Sequence, residues 1–158
     1  MSDLPVVGEK TPAFEAESHQ GPINLDTLKG KNVVLYFYPK DNTPGCTVEA
    51  QDFRDRYAQF KALNTEIIGV SRDSLKTHAN FSNKHELPFP LIADPEEKLC
   101  TQFGVMKLKN MYGKQVRGIE RSTFLLDSQG VLVQEWRGLK VPGHADKVLE
   151  AVKEIAAN

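Results

Sequence analysis

The chain has 158 residues, of which 40% are hydrophobic and 26% charged, and its 20 basic and 21 acidic side chains give a net charge of -1. This composition is typical of a globular protein, and we predict one domain over residues 1–158. The basic residues are scattered among acidic ones, which argues against nucleic-acid binding. The N-terminal stretch lacks a signal-peptide pattern and no segment has the roughly 18 apolar residues of a membrane span, so we predict a cytoplasmic protein without a membrane partner.

The order of the strands indicates a mixed α/β fold. Short apolar alternations with Pro and Gly in the first thirty residues predict a hairpin, followed by a turn. Five strands are predicted after it, at residues 33–38, 66–71, 91–93, 122–126 and 131–137. A helix-length segment between the first two makes them parallel, whereas a short polar turn makes the last two an antiparallel hairpin. We therefore expect a central mixed sheet of about five strands flanked by helices, with an N-terminal hairpin extension.

Four helices are predicted around this sheet. Phe53, Tyr57 and Phe60 recur at spacings of four and three, which predicts a helix between the first two strands. In the third helix, Asp94 is expected to cap the N-terminus and Pro95 to take the first helical position. Residues 107–120 have no clear period and are predicted to be a loop. The second, third and fourth helices are expected to start near residue 71–74, at 95 and near 143, and to end at 85, 103 and 156.

One of the two cysteines, Cys46, ends the sequence PKDNTPGC, directly after the first predicted strand and before the first helix. At a helix start, unpaired backbone amides and the macrodipole favour the thiolate, which is the nucleophilic form. The Thr43 hydroxyl can donate to the sulfur or to a bound oxygen, while Pro39 and Pro44 stiffen the loop and shield it from water. The alternative is an inert buried cysteine, but the small and polar neighbours of Cys46 argue against it.

An arginine far along the chain is the second candidate for this site. Arg121 opens the strand RSTFLLD, where a cation is unfavourable unless an anion meets it, although a solvated strand end is the alternative. Glu49 lies on the same helix face as Cys46, three residues on, and can hold the guanidinium. No cysteine or histidine spacing suits a metal. We predict no role for the histidines, which are His19, His78, His85 and His144.

These motifs resemble a known family. PKDNTPGC fits the P-x-x-x-T-x-x-C signature of the peroxiredoxins, and the chain, including IIGVSRDS, LPFPLIADP and RSTFLLD, resembles their Q-type subfamily, also called bacterioferritin comigratory protein. The resemblance implies a thioredoxin-like fold and a thiol-specific peroxidase for hydrogen peroxide and alkyl hydroperoxides. It implies that Cys46 forms a sulfenic acid, supported by Thr43, Arg121, Pro39 and Glu49. It also implies a monomer that uses thioredoxin as reductant and needs no metal or bound cofactor.

The resolving thiol departs from the subfamily pattern. Many Q-type proteins carry a second cysteine five residues after the first, where this chain has Gln51, and others carry it around residues 80–84, where this chain has none. Cys100 is the only other thiol able to receive the sulfenic acid within the chain, and we predict it to be the resolving cysteine. The alternative is that Cys100 is a small buried hydrophobe and that an external thiol reduces Cys46.

Three other functions are possible for a cysteine at a helix start. A general thiol-disulfide oxidoreductase on the same fold would need two close thiols. A cysteine hydrolase would need a histidine near Cys46, for which His144 is the candidate. A redox-regulated chaperone would need neither, and consumption of peroxide through Cys46 separates all three from a peroxidase.

Overall fold

The computed structural model describes residues 4–156 and contains nine strands and four α-helices within that range. The strands are β1 (Glu15–Ser18), β2 (Gly21–Asn24), β3 (Asn32–Phe37), β4 (Thr65–Ser71), β5 (Leu91–Ala93), β6 (Met106–Met111), β7 (Lys114–Ile119), β8 (Ser122–Leu126) and β9 (Leu132–Arg137). The helices are α1 (Pro44–Ala62), α2 (Leu75–His85), α3 (Lys98–Gln102) and α4 (His144–Ala156). The targeting prediction rests partly on residues 1–3, which lie outside the described range. None of the helices within it is long and apolar enough to cross a membrane.

Seven of the strands form one mixed sheet in the order β2-β1-β5-β4-β3-β8-β9. Strands β3, β4 and β5 are parallel to each other, whereas β8 and β9 are antiparallel neighbours on one side. The five predicted strands and the parallel crossover are therefore confirmed. The predicted N-terminal hairpin is also confirmed, but β1 pairs with β5, so the hairpin widens the sheet to seven strands.

The sheet separates two apolar cores, because successive residues of a strand point to opposite faces. On one face, Tyr36 packs with Phe53 and Val148 in what we call the α1 core, which α1 and α4 cover. On the other face, Leu35 packs with Phe103 in what we call the α3 core. Strand β3 is buried on both faces, which explains its continuous apolar sequence.

The predicted loop at residues 107–120 is wrong, because this segment forms the antiparallel hairpin of β6 and β7. The two strands pair only with each other within the described structure, outside the main sheet. Leu108 is 67% exposed and Tyr112, in the turn between the strands, is fully exposed. A ribbon exposed in this way has no need of the apolar alternation from which strands are recognised, so the sequence showed no period.

The third helix is shorter than predicted, whereas the other three helices lie where predicted. It begins at Lys98, because the preceding Glu97 adopts a left-handed backbone conformation with φ 62°. The Asp94 carboxylate still serves the first turn of the helix. Its two oxygens accept hydrogen bonds from the amides of Leu99, at 3.1 Å, and Cys100, at 2.8 Å.

Candidate active site

The thiol of Cys46 lies in the first turn of α1, at the carboxyl end of β3. Pro44 is the first helical residue, where its missing N–H does no harm, and Thr43 precedes it in an extended conformation. The amide of Thr47 donates to the Thr43 carbonyl at 2.9 Å. The backbone N–H groups of Gly45 and Cys46 come before this first helical hydrogen bond, so they have no acceptor inside the helix. The first turn therefore offers donors to an anion.

Arg121 links the sulfur to a buried carboxylate. Its Nη2 lies 3.4 Å from Cys46 Sγ, and its Nη1 donates to Glu49 Oε1 at 2.6 Å. Cys46 and Glu49 are each 1% exposed, while the Arg121 side chain is 18% exposed. The three predicted residues therefore lie together, with the guanidinium between the thiol and the carboxylate and partly open to solvent.

The sheet topology brings Arg121 to this position from a distant part of the sequence. Strand β8 is antiparallel to β3, and Ser122 pairs with Phe37 at the end of β3. Arg121, one residue before Ser122, therefore lies at the sheet edge where β3 leads toward α1. Gly45 leaves room for it, since a Cβ atom at this position would lie 3.3 Å from Arg121 Nη2.

Burial and charge oppose each other in this site. Burial raises the pKa of Glu49 to about 7, and the Arg121 guanidinium acts in the opposite direction. Burial also acts to lower the pKa of Arg121, but the Glu49 carboxylate and the Cys46 sulfur outweigh it, so that pKa is raised above its usual value. Arg121 therefore stays positively charged beside the sulfur. Glu49 Oε2 is buried and has no hydrogen-bond partner among the described residues.

Thr43 and Pro39 belong to the loop between β3 and α1. The Thr43 hydroxyl, half-buried, donates to the carbonyl oxygen of Lys40 at 2.7 Å rather than to the sulfur. Its proton is thereby engaged, while its oxygen can still accept a hydrogen bond. Pro39 is half-buried and Pro44 is exposed.

Cys100 is buried in the α3 core, whereas Cys46 belongs to the α1 core, and both thiols are free. The sheet therefore lies between the two cysteines. Burial raises the pKa of the Cys100 thiol well above its usual value, and the hydrogen bond with Asp94 adds to this. The two cysteines are not brought into one site in this conformation.

His144, the candidate base of a hydrolase, has its ring engaged elsewhere. Its Nε2 lies 2.8 Å from Thr123 Oγ1, and the ring packs edge-on against Phe53 and Trp136. Burial lowers the pKa of His144 to about 4, and the charges of Lys147 and Arg121 add to this.

Sequence reasoning missed a second polar cluster beside the Cys46 loop. His78, for which no role was predicted, is fully buried and lies against Asp41. Asp41 follows β3 and Asp73 follows β4, and the carboxyl ends of parallel strands meet at one sheet edge. The positions of Asp41 and Asp73 after two neighbouring parallel strands are the signal from which the cluster could have been predicted.

Comparison with known proteins agrees with this site. The model of the AhpC/TSA family matches residues 7–135. The chain is 50% identical over 151 residues to Peroxiredoxin Bcp of Bacillus subtilis, covering 95% of this chain and 96% of that protein.

Solved structures give the same result. One is a bacterioferritin comigratory protein of Xanthomonas campestris described for its alkyl peroxide reduction activity, with 51% identity, a TM-score of 0.86 and coverage of 90% and 92% of the two chains. Another is a cysteine-to-serine mutant of PrxQ from Xylella fastidiosa, with 40% identity, a TM-score of 0.91 and coverage of 96% and 98%. The predicted thioredoxin-like fold and thiol-peroxidase class are thus confirmed. The chain belongs to the AhpC/TSA family, and within it to the peroxiredoxins.

Proposed function

We propose that Cys46 is the peroxidatic thiol with which this peroxiredoxin reduces hydrogen peroxide and alkyl hydroperoxides. The contact of 3.4 Å between Cys46 Sγ and the charged Arg121, at the start of α1, supports this role. A nucleophilic thiolate needs nearby positive charge and hydrogen-bond donors, and this arrangement supplies both. The relative described for alkyl peroxide reduction supports the inclusion of alkyl hydroperoxides.

The first step is attack by the Cys46 thiolate on one oxygen of the hydroperoxide. An S–O bond forms while the O–O bond breaks, and the departing oxygen takes a proton to leave as water or an alcohol. Negative charge builds on that oxygen during the step. The Arg121 guanidinium and the free first-turn amides are preset donors that stabilise this charge more than the neutral substrate.

The other predicted residues shape the site around these two. Glu49 holds Nη1 of Arg121 at 2.6 Å, which leaves Nη2 directed at the sulfur side. The Thr43 oxygen, whose own proton goes to Lys40, accepts the hydrogen of the bound hydroperoxide. Pro39, half-buried in the same loop as Thr43, limits the access of water to the sulfur.

Regeneration of Cys46 takes place with a thiol from another molecule. The opposite-face placement of Cys100 supports this, since a disulfide requires the two Cα atoms to lie within roughly 7 Å. One external thiol condenses with the sulfenic acid and releases water, and a second thiol then releases Cys46 as the thiol. The same placement argues against a general thiol-disulfide oxidoreductase, which needs two close thiols.

Thioredoxin is the reductant that we propose, acting on a monomer in the cytoplasm. The resemblance to the Q-type subfamily supports these three statements. Sedimentation of the reduced protein tests the monomer, and turnover with thioredoxin compared with glutaredoxin tests the reductant. A stable decamer would contradict the monomer, and turnover with glutaredoxin alone would contradict thioredoxin as the reductant.

The experiment that tests the function is stoichiometric consumption of peroxide by the reduced protein. Wild type and Cys100→Ser should each consume about one equivalent of hydrogen peroxide in a rapid burst, because one thiolate reacts once without reductant. Cys46→Ser should show no burst. A burst retained in Cys46→Ser would remove Cys46 from its role, and absence of a burst in wild type would favour the chaperone alternative.

A further inference from the structure

A buried polar cluster supports the loop that leads to Cys46. Its members come from the loop after β3, the end of β4 with its following loop, and helix α2, and they are Tyr38, Asp41, Ser71, Asp73 and His78. All but the half-buried Asp73 are buried. The peroxide chemistry described above uses none of them.

The centre of the cluster is the pair of Asp41 and His78. Nδ1 of His78 lies 2.6 Å from Asp41 Oδ2, and Nε2 lies 2.9 Å from the carbonyl oxygen of Ile92. A carbonyl only accepts, so Nε2 carries a proton. The short contact at Nδ1 then shares one further proton between the imidazole and the carboxyl group. The pair is neutral as a whole, which suits a fully buried site.

Asp41 is also held on its other sides. Its Oδ1 accepts a hydrogen bond from the Tyr38 hydroxyl at 2.6 Å, and its backbone amide donates to Asp73 Oδ2 at 2.9 Å. The Ser71 hydroxyl donates to that same Asp73 oxygen at 2.6 Å. The loop is therefore attached to α2 through a side chain and to the segment after β4 through the backbone.

A metal site is a different interpretation of the same residues. Ligand-type atoms of Asp41, Asp73 and His78 lie within 4.8 Å of one another. The hydrogen bonds above account for these atoms, since each has a donor or acceptor within the cluster. The geometry is thus explained by hydrogen bonding that fixes the loop.

We propose that Asp41 and His78 are positioning residues for the peroxide reaction, an inference that rests on the proposed role of Cys46. Asp41 lies five residues before Cys46, and the anchored loop that contains it leads directly into α1. Arg121 comes from β8, so the distance of 3.4 Å between Sγ and Nη2 depends on two separately anchored segments. A misplacement of about 1 Å lowers a rate by as much as about 10²-fold.

The test compares two amide substitutions of His78. An asparagine amide lies where Nδ1 is, so His78→Asn keeps the bond to Asp41, whereas a glutamine amide reaches the Nε2 position, so His78→Gln keeps only the bond to Ile92. Each variant loses one hydrogen bond. The second-order rate constant with hydrogen peroxide should fall about 10- to 100-fold in His78→Gln and stay within about threefold of wild type in His78→Asn. His85→Gln, on the same helix, is the matched control and should react like wild type.

A double-mutant cycle separates positioning from general damage to the fold. If His78→Gln moves Cys46 away from Arg121, the contact that Arg121→Met removes is already weakened in that variant. The fold-loss in peroxide rate caused by Arg121→Met should then be smaller in His78→Gln than in wild type, by a factor of about ten or more. The limiting rate at which iodoacetamide alkylates Cys46 at high pH, where the thiol is ionised with or without Arg121, should not slow in His78→Gln. If His78→Gln does not fold, Tyr38→Phe removes one hydrogen bond to Asp41 and should show the same coupling with a smaller loss.

The outcomes distinguish this inference from the function on which it rests. Equal losses in the two His78 variants with an unchanged effect of Arg121→Met would overturn the positioning role and show a general structural one. A His78→Gln rate equal to wild type, with Cys46→Ser inactive, would also overturn it while leaving the function standing. Peroxidase turnover in Cys46→Ser would instead remove the function itself, and the positioning role with it.

Discussion

Cys46 and Cys100 are both buried, yet they face opposite sides of one sheet. Tyr36 of β3 packs in the α1 core with Cys46, and its neighbour Leu35 packs in the α3 core with Cys100. An internal disulfide would require at least one cysteine to leave its core. This relationship underlies the proposal that a thiol from another molecule regenerates Cys46.

The first prediction concerns Cys100 as a structural residue. Cys100→Ala should keep thioredoxin-coupled turnover within about twofold of wild type and lower the free energy of unfolding by about 1 kcal/mol, because only buried packing is lost. Coupled kinetics and denaturant titration measure the two effects. Loss of turnover with accumulation of sulfenic acid at Cys46 would instead establish the resolving role.

The second prediction concerns the charge beside the sulfur. Arg121→Met should lower the rate constant with hydrogen peroxide by about 10²- to 10³-fold, the usual effect of losing one preorganised donor. Arg121→Lys should recover only part of it, since a lysine cannot contact the sulfur and Glu49 with one planar group. Stopped-flow kinetics of the reduced protein provides the measurement.

A control for this prediction is Arg56→Met. Arg56 of α1 pairs with Asp146 of α4 at 2.6 Å, so its loss removes an arginine ion pair outside the site. Its peroxide rate should equal that of wild type. An unchanged rate in folded Arg121→Met would remove Arg121 from the mechanism.

The third prediction follows from the raised pKa of Glu49. The folded state holds the proton up to a pH of about 7, whereas the unfolded chain releases it near 4.5, so folded Glu49 binds more protons between these values. Its contribution to stability is present below pH 4.5 and is lost as the pH rises to about 7. The unfolding free energy of wild type minus that of Glu49→Gln should therefore fall across this window, by up to about 3 kcal/mol at about 1.36 kcal/mol for each pH unit.

Denaturant titrations of both proteins at several pH values test this. His144, whose pKa burial lowers to about 4, titrates in the same window but is present in both proteins, so its effect cancels in the difference. A difference that is flat from pH 4.5 to 7 would mean that Arg121 fully compensates the burial of Glu49.

The fourth prediction concerns the room that Gly45 leaves. In Gly45→Ala the new Cβ would lie 3.3 Å from Arg121 Nη2, so the guanidinium must move by a few tenths of an ångström. We expect the peroxide rate to fall by about tenfold, while stability is unchanged or higher because alanine favours the helix. Gly118→Ala, where a Cβ meets nothing within 4 Å, is the control. A rate equal to wild type in Gly45→Ala would show that Arg121 tolerates the shift.

The buried part of this fold was predictable because burial imposes a pattern on the sequence. Strand β3 is apolar from Val33 onward since both its faces are covered, and Phe53 and Phe60 mark the buried stripe of α1. The exposed β6 and β7 hairpin carries no such pattern, and it was missed. The start of α3 was placed too early because the left-handed backbone of Glu97 leaves no signal in residue types.

The sequence predicted the parts of the site whose residues lie close together along the chain. The position of Cys46 after a strand, and of Glu49 one helical turn later, can be read from spacing alone. The contact with Arg121 needs the register of β8 against β3, and the His78 pair needs the meeting of three segments. Such contacts depend on the tertiary fold. The place of Arg121 at the start of a strand made it a candidate, with a solvated strand end as the alternative, and the family resemblance then supported it.

The most direct test of the role of Cys46 is mass spectrometry of non-reduced digests after reduced protein receives one equivalent of hydrogen peroxide. We predict a sulfenic acid at Cys46, trapped by a dimedone-type probe, and a Cys100 thiol that alkylates after denaturation. A Cys46–Cys100 linked peptide from monomeric protein would contradict regeneration from outside the chain. Oxidation at Cys100 with Cys46 unmodified would contradict the assignment of Cys46 as the peroxide-reducing thiol.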